Sequence, residues 1–114
     1  MSFHIPLQQA IKQLKIETEN RFTVLMKHGK MSIEYYAPQN IDLQTPHRQD
    51  EIYVIASGNG FFFRDGERIQ FRQGDVLFVP AGMEHHFENF SSDFATWVIF
   101  YGVDGGEIEK VGSL

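Results

Sequence analysis

The chain has 114 residues, a net charge of −5 and no cysteine. Its length suits one domain with a single hydrophobic core. The negative charge and the lack of any run of Lys or Arg argue against nucleic acid and anionic membranes as partners. Without cysteine, disulfides and thiolate metal sites are excluded, so histidine and carboxylate side chains are the metal ligands that remain.

The N-terminal segment predicts one short helix. Apolar residues recur at helical spacing at Leu7, Ala10, Ile11 and Leu14, and Pro6 suits the first helical turn, so we expect a helix over residues 6–14. The first residues lack the basic and apolar regions of a signal peptide, and no apolar stretch approaches membrane-spanning length. We therefore expect a cytoplasmic protein.

From residue 20 onward the apolar pattern changes from helical to alternating. Alternation on both sides of Gly29 predicts a hairpin, and six further strands are expected at residues 51–56, 61–64, 68–72, 76–79, 85–88 and 94–101. Asp65-Gly66 is the strongest hairpin signal, because a two-residue type I′ turn needs positive φ at both positions. Short strands without intervening helices predict an all-β antiparallel barrel over residues 20–102, with a loose tail over 103–114, in a single domain over 1–114.

Two imidazoles and a carboxylate are the candidate site residues. His47, Gln49, Glu51 and Tyr53 have the same parity, so on a regular strand their side chains point to one face. Burial of Glu51 would be costly unless a cation or a hydrogen-bond donor compensates its charge. His85 supplies the second imidazole. Two histidines and one carboxylate form the facial triad of non-haem iron enzymes.

Simpler interpretations of the same residues stay open at this point. His47 alone fits an ordinary surface loop, and Glu51 alone fits an outward salt bridge. The arginines available for such a salt bridge are Arg48, Arg64 and Arg72. Spacing alone does not separate these interpretations from a metal site.

Two motifs carry a resemblance to a known family. Gly74-x5-Pro80-x-Gly82-x2-His85-x3-Asn89 fits the second cupin motif at every fixed position, and Glu51-x6-Gly58 fits the C-terminal half of the first. Over about residues 40–101 the chain therefore resembles the cupin superfamily. The resemblance implies a double-stranded β-helix, the jelly-roll cupin barrel, that holds one divalent transition metal on His47, Glu51 and His85. Iron, manganese, zinc or nickel would suit these ligands.

One histidine of the first motif is missing. The family carries two histidines, spaced His-x-His, before the glutamate. If His47 is the second of them, Thr45 stands in place of the first; if His47 is the first, Gln49 stands in place of the second. Gln49 and Tyr53 are the candidates for positioning a substrate.

Cupins include dioxygenases, isomerases, epimerases, decarboxylases and lyases as well as sugar-sensing domains, so the resemblance implies three alternative functions. The first, which we favour, is a metal-dependent enzyme acting on a small organic acid or sugar-like compound. The second is a small-molecule-binding cupin without turnover, and the third is an apo jelly roll with a degenerate metal site. We also expect a homodimer, because cupins are commonly dimeric and residues 61–63 and 94–101 have apolar side chains on both strand faces.

Overall fold

A computed structural model describes residues 3–17, 21–42 and 44–108. These residues form helix α1 (Leu7–Ile16) and strands β1 (Phe22–His28), β2 (Met31–Tyr36), β3 (Asp50–Ser57), β4 (Asn59–Arg64), β5 (Glu67–Arg72), β6 (Val76–Val79), β7 (His85–Glu88) and β8 (Ala95–Tyr101). The strands pair antiparallel in a five-stranded sheet, in the order β1-β2-β8-β3-β6, and a three-stranded sheet, in the order β5-β4-β7. The predicted all-β antiparallel jelly roll is confirmed.

Glycine residues lie in the tight connections between consecutive strands. Asp65 and Gly66 form the predicted two-residue turn between β4 and β5, with φ of 45° and 86°, as a type I′ turn requires. Gly58 alone separates β3 from β4, where the chain passes from one sheet to the other. Its φ is +84°, and a Cβ atom there would lie 2.7 Å from the Cα of Phe94. Only glycine fits this crossing without displacing the neighbouring backbone.

The hydrophobic core lies between the two sheets. Its buried residues are Tyr53, Ile55, Phe62, Phe71, Leu77, Val79, Phe87, Phe94 and Val98. Along β3 the buried side chains run from Ile55 through Tyr53 to Glu51. The row of buried side chains on β3 is therefore apolar except at its beginning, where it ends in the carboxylate of Glu51. This end of the barrel contains the candidate site.

Helix α1 covers part of the outer face of the five-stranded sheet. Ala10 and Leu14 are buried in one apolar cluster with Tyr35. The side-chain amide of Gln13 donates to the Thr23 hydroxyl at 2.6 Å and to a backbone carbonyl of β1 at 2.8 Å. The predicted helix is present, with its end two residues later than expected. Within the described residues, no helix has the length and apolar character that crossing a membrane requires.

The first half of the predicted loose tail is held against the barrel. The Gly105 N–H donates to the Arg48 carbonyl at 2.7 Å, and the Glu107 N–H donates to the Asp50 carboxylate at 2.8 Å. Asp50 is buried and also accepts a hydrogen bond of 2.9 Å from the Ala81 N–H. Residues 105–107 are therefore bonded to the barrel rather than loose, while residues 109–114 of the predicted loose tail lie outside the described residues.

Candidate metal centre

Three candidate metal-ligand side chains meet at one end of the barrel. Glu51 lies at the beginning of β3, His85 lies at the beginning of β7, and His47 lies in the loop before β3. Their candidate ligand atoms all lie within 4.8 Å of one another. Glu51 and His85 are buried, whereas His47 is half-buried. The structure thus brings together the three residues that the sequence singled out.

Both imidazoles approach the same oxygen of Glu51. His47 Nδ1 lies 3.1 Å from Glu51 Oε1, and His85 Nε2 lies 2.7 Å from that atom. Only 1% of Glu51 is exposed, and its Oε2 atom has no hydrogen-bond partner in the part of the chain that the structure describes. A buried carboxylate oxygen without a donor costs free energy. A cation among these three side chains would compensate that cost, so the residues present fit a metal ion.

A backbone carbonyl fixes the orientation of the His85 ring. His85 Nδ1 lies 2.8 Å from the Met83 carbonyl, and a carbonyl oxygen only accepts, so Nδ1 carries the proton. In a neutral imidazole, Nε2 then presents a lone pair towards Glu51. Within the described residues this Nε2 makes no aligned hydrogen bond, despite its short distance to the carboxylate. Anchoring of the distal ring nitrogen in this way is how proteins orient a metal-binding histidine.

The protonation states of Glu51 and His85 are coupled. Burial raises the pKa of Glu51, but the contacts with His47 and His85 outweigh burial and hold this pKa below its usual value. Burial lowers the pKa of His85, but the contact with the Glu51 carboxylate and the hydrogen bond to the Met83 carbonyl outweigh burial and raise this pKa. The pair therefore favours a carboxylate beside an imidazolium. A bound metal ion would take the place of that proton.

A cavity of about 470 Å³ opens beside His47. Its lining consists of Phe22, Glu34, Tyr36, Gln44, Thr45, His47, Val98 and Phe100. The His47 ring packs edge-on against Phe100, with 4.9 Å between their centroids. The cavity therefore combines aromatic and aliphatic walls with a few polar groups and one candidate metal ligand, which is the usual composition of a small-molecule site.

Comparison with known proteins agrees with this architecture. Residues 32–101 match the Cupin domain family. The chain belongs to the cupin family. An uncharacterized protein of Streptomyces coelicolor is 33% identical to this cupin over 84 residues, which make up 72% of this chain and 80% of that protein. A cupin 2 conserved barrel domain protein of Salinispora arenicola superposes with a TM-score of 0.65 at 19% identity, over 90% of this chain and 89% of that one, and shows a shared fold.

Two relatives named as dioxygenases match this cupin over a small part of their own length. Gentisate 1,2-dioxygenase of a Streptomyces species is 26% identical over 84 residues, which are 73% of this chain and 22% of that protein. Acireductone dioxygenase of Drosophila pseudoobscura is 40% identical over 53 residues, which are 42% of this chain and 28% of that protein. The cupin therefore spans about a quarter of each of these enzymes.

Gln49 does not occupy the position that the sequence suggested for it. Its side-chain amide donates to the Lys30 carbonyl at 2.6 Å and to the Gly102 carbonyl at 2.9 Å. Strand β3 begins at Asp50, so the alternation of side chains along a strand does not extend back to Gln49. The prediction that Gln49 faces the metal or a substrate is corrected. Its amide instead bonds the loop before β3 to the backbone at Lys30 and at Gly102.

Thr45 lies at the cavity, whereas Tyr53 lies in the hydrophobic core. Thr45 lines the cavity together with His47, so it stands on the side from which a ligand would enter. Tyr53 is fully buried, and its hydroxyl donates to Gln44 Oε1 at 2.8 Å. Gln44 lines the cavity and Tyr53 does not, so Gln44 lies between the Tyr53 hydroxyl and the cavity. Tyr53 stays a candidate for positioning a substrate, and it would act through Gln44.

Asp42 is a buried residue of the site that the sequence did not reveal. Its carboxylate accepts hydrogen bonds from the Tyr36 hydroxyl at 2.6 Å, the Gln44 side-chain amide at 2.7 Å and the Phe87 N–H at 2.8 Å. These donors tie the loop before His47 to β2 and β7. Asp42 lies in a polar loop without apolar periodicity, so the sequence pattern contained no signal for its burial.

Proposed function

We propose that this cupin is a metal-dependent enzyme that acts on a small organic acid or sugar-like compound. His47, Glu51 and His85 would hold one divalent transition ion, and the substrate would occupy the adjoining cavity. The observation that carries the proposal is the buried Glu51 carboxylate. Among the residues that the structure describes, its Oε2 atom has no hydrogen-bond partner, and two imidazole nitrogens lie within 3.1 Å of its Oε1 atom. When bound, the ion would act as a Lewis acid towards a substrate oxygen.

The protein side chains have separate tasks in this proposal. His85 is locked by its hydrogen bond to the Met83 carbonyl, so its ring needs no reorganisation to bind an ion. His47 lies at the edge of the cavity, where a substrate group would meet the metal. Phe100 and Val98 supply apolar walls that displace water from the bound compound. Three protein ligands leave further coordination positions for water or substrate.

The partial relatives support an enzyme over a purely structural barrel. They include a gentisate 1,2-dioxygenase and acireductone dioxygenases. These names bear on this chain by analogy of fold and family alone. They favour a small oxygen-rich substrate, and the proposal covers dioxygenase, isomerase and lyase reactions on such a compound.

Reconstitution and turnover test the proposal. The metal-free protein would be loaded separately with iron, manganese, zinc and nickel and supplied with a panel of small hydroxy acids, aromatic acids and sugar acids. We expect turnover with at least one metal, as oxygen uptake or as a new product, and its loss in Glu51→Gln. Tight metal binding without turnover of any compound would favour the non-catalytic binding cupin instead.

We also propose that this cupin forms a symmetric homodimer through the outer face of the five-stranded sheet. Cross-strand partners form an unbroken apolar row across all five strands, composed of Met26, Ile33, Ile99, Ile52 and Phe78. Phe78 is 43% exposed. The other four side chains of the row are half-buried. Because an apolar row that stays partly open to solvent needs cover, pairing of two identical faces is the simplest arrangement.

The phenylalanines that first suggested a dimer are covered within the chain. The Arg68 guanidinium lies 3.9 Å from the centre of the Phe61 ring, and the His86 ring stacks on Phe63 with 4.9 Å between centroids. A cation over an aromatic face is a favourable contact even at an exposed site. The proposed interface therefore excludes the three-stranded sheet.

A further inference from the structure

Glu34 is an acidic residue in apolar surroundings that the metal site does not use. It lies on β2, where its cross-strand partners are Val24 on β1 and Val98 on β8. Val98 in turn pairs with the buried Tyr53 on β3. Glu34 is therefore the one charged position in an inward-facing row of apolar and aromatic side chains, and it lines the same cavity as His47.

No salt bridge holds the Glu34 carboxylate within residues 3–17, 21–42 and 44–108. Burial raises the pKa of Glu34, while His47, the exposed Lys27 and a hydrogen bond from Ser32 act in the opposite direction and do not outweigh burial. A half-buried carboxylate without an ion pair is unfavourable for folding. The fold therefore carries a cost at Glu34 that an apolar residue would avoid, which points to a role in binding.

The other polar groups of the cavity wall are already engaged or uncharged. The Tyr36 hydroxyl and the Gln44 amide nitrogen both donate to Asp42, and the Gln44 oxygen accepts from Tyr53. No Lys or Arg belongs to the lining of this cavity in the described part of the chain. A phosphate or sulfate group would meet the negative Glu34 without a compensating cation, whereas a hydroxyl group could donate to it.

We propose that Glu34 is a ligand-positioning residue that accepts hydrogen bonds from hydroxyl groups of the bound compound. The preferred ligand is then a hydroxylated organic acid, with its hydroxyl groups at Glu34 and its acid group at the His47 end of the cavity. This inference rests on the proposed function, because the metal ion would compensate the negative charge of the acid group.

Two probes that differ only in their hydroxyl groups test the inference. Gluconate and hexanoate share a carboxylate and a chain length, but hexanoate has no hydroxyl groups. Calorimetric titration into the manganese-loaded protein should show that gluconate binds more tightly by about tenfold or more, since hydrogen bonds to a charged acceptor are the strong ones. Glu34→Gln should weaken gluconate binding by about tenfold and leave hexanoate binding and manganese stoichiometry unchanged.

Two further variants separate binding from general damage to the fold. Glu34→Asp keeps the charge and should retain more of the gluconate preference than Glu34→Gln does. Glu67→Gln removes an exposed carboxylate on β5 and should bind both probes like the wild type. Melting temperatures of all variants should stay close to that of the wild type, because Glu34 has no salt bridge to lose in the described residues.

The outcomes distinguish this inference from the function on which it rests. If the wild type binds manganese but prefers gluconate no more than hexanoate, or if Glu34→Gln keeps the preference, the role of Glu34 is overturned and the metal site stands. If the wild type binds no manganese, the metal site and the inference fall together. A selective loss of gluconate affinity in Glu34→Gln supports the inference.

Discussion

His85 faces Glu51 with the ring nitrogen that lacks a proton in the neutral imidazole. Its Nε2 atom lies 2.7 Å from Glu51 Oε1, while its Nδ1 atom lies 2.8 Å from the Met83 carbonyl. Two lone pairs at this separation repel unless a positive charge lies between them. The fold therefore builds a position that a proton or a metal ion must occupy, and the two compete for it.

This competition makes metal binding dependent on pH. The pKa of His85 is raised by Glu51 and the Met83 carbonyl against the effect of burial, so protons compete at a higher pH than they do for an ordinary histidine. We expect metal affinity to begin falling while the pH is still above about 6.5, the usual histidine pKa. A competition titration with a metal indicator at several pH values measures this. Constant affinity between about pH 5 and pH 8 would contradict it.

Asp42 should contribute strongly to stability. Asp42→Ala leaves the buried Phe87 N–H and the Tyr36 hydroxyl without their acceptor, so the free energy of unfolding should fall by about 3 kcal/mol. Urea denaturation followed by circular dichroism gives this value. Asp104→Ala, in an exposed loop, is the matched control and should change stability by less than about 0.5 kcal/mol. Equal effects of the two substitutions would show that the hydrogen bonds of Asp42 make no special contribution to stability.

The sequence predicted the three metal-ligand candidates but missed Glu34, and the outer surface of the barrel explains why. On β2 the apolar residues Met31, Ile33 and Tyr35 alternate with polar ones, which is usually the pattern of an apolar face turned towards the core. Here Tyr35 packs with α1 and Ile33 lies on the outer face, while Glu34 and Tyr36 line the cavity. In this barrel the cavity wall includes polar residues, and apolar residues of β2 lie on the outer face. The usual interpretation of the alternation is therefore reversed on β2.

The strands themselves were predictable because turn residues and alternation are local signals. The loop before β3 was not, because its arrangement depends on partners far away in the chain. Gln49 bonds the Gly102 carbonyl, and Asp42 accepts from Phe87. Neither contact produces a periodic pattern of residues in the sequence. The cupin motif itself located His47, Glu51 and His85 without resolving which neighbour replaces the missing histidine.

The structure favours Thr45 as the position of the missing histidine. Thr45 lines the cavity with His47, whereas the Gln49 amide is held by two carbonyls. We expect Thr45→His to tighten metal binding by about tenfold, because it adds an imidazole on the open side of the site. Gln49→His should leave metal affinity unchanged. Calorimetric titration of both variants decides between the positions, and tighter binding in Gln49→His alone would reverse the assignment.

A single charge on the apolar face should disrupt the proposed dimer. Ile33→Lys places an ammonium group in the middle of the row that crosses the five-stranded sheet, and burying it against a second copy would be costly. We expect light scattering to give twice the chain mass of 13.2 kDa for the wild type and the single chain mass for this variant. Ile69→Lys, an exposed position on the other sheet, should stay dimeric. A monomeric wild type would reject the interface.

The metal content of untagged protein shows whether His47, Glu51 and His85 bind a metal ion, since a polyhistidine tag could itself load the site. Elemental analysis after reconstitution should give about one divalent ion per chain for the wild type. His86→Ala should match the wild type, because His86 stacks on Phe63 and is not part of the cluster at Glu51. The double variant His47→Ala, His85→Ala should retain almost no metal. A double variant that still binds one ion per chain would contradict the assignment of the site.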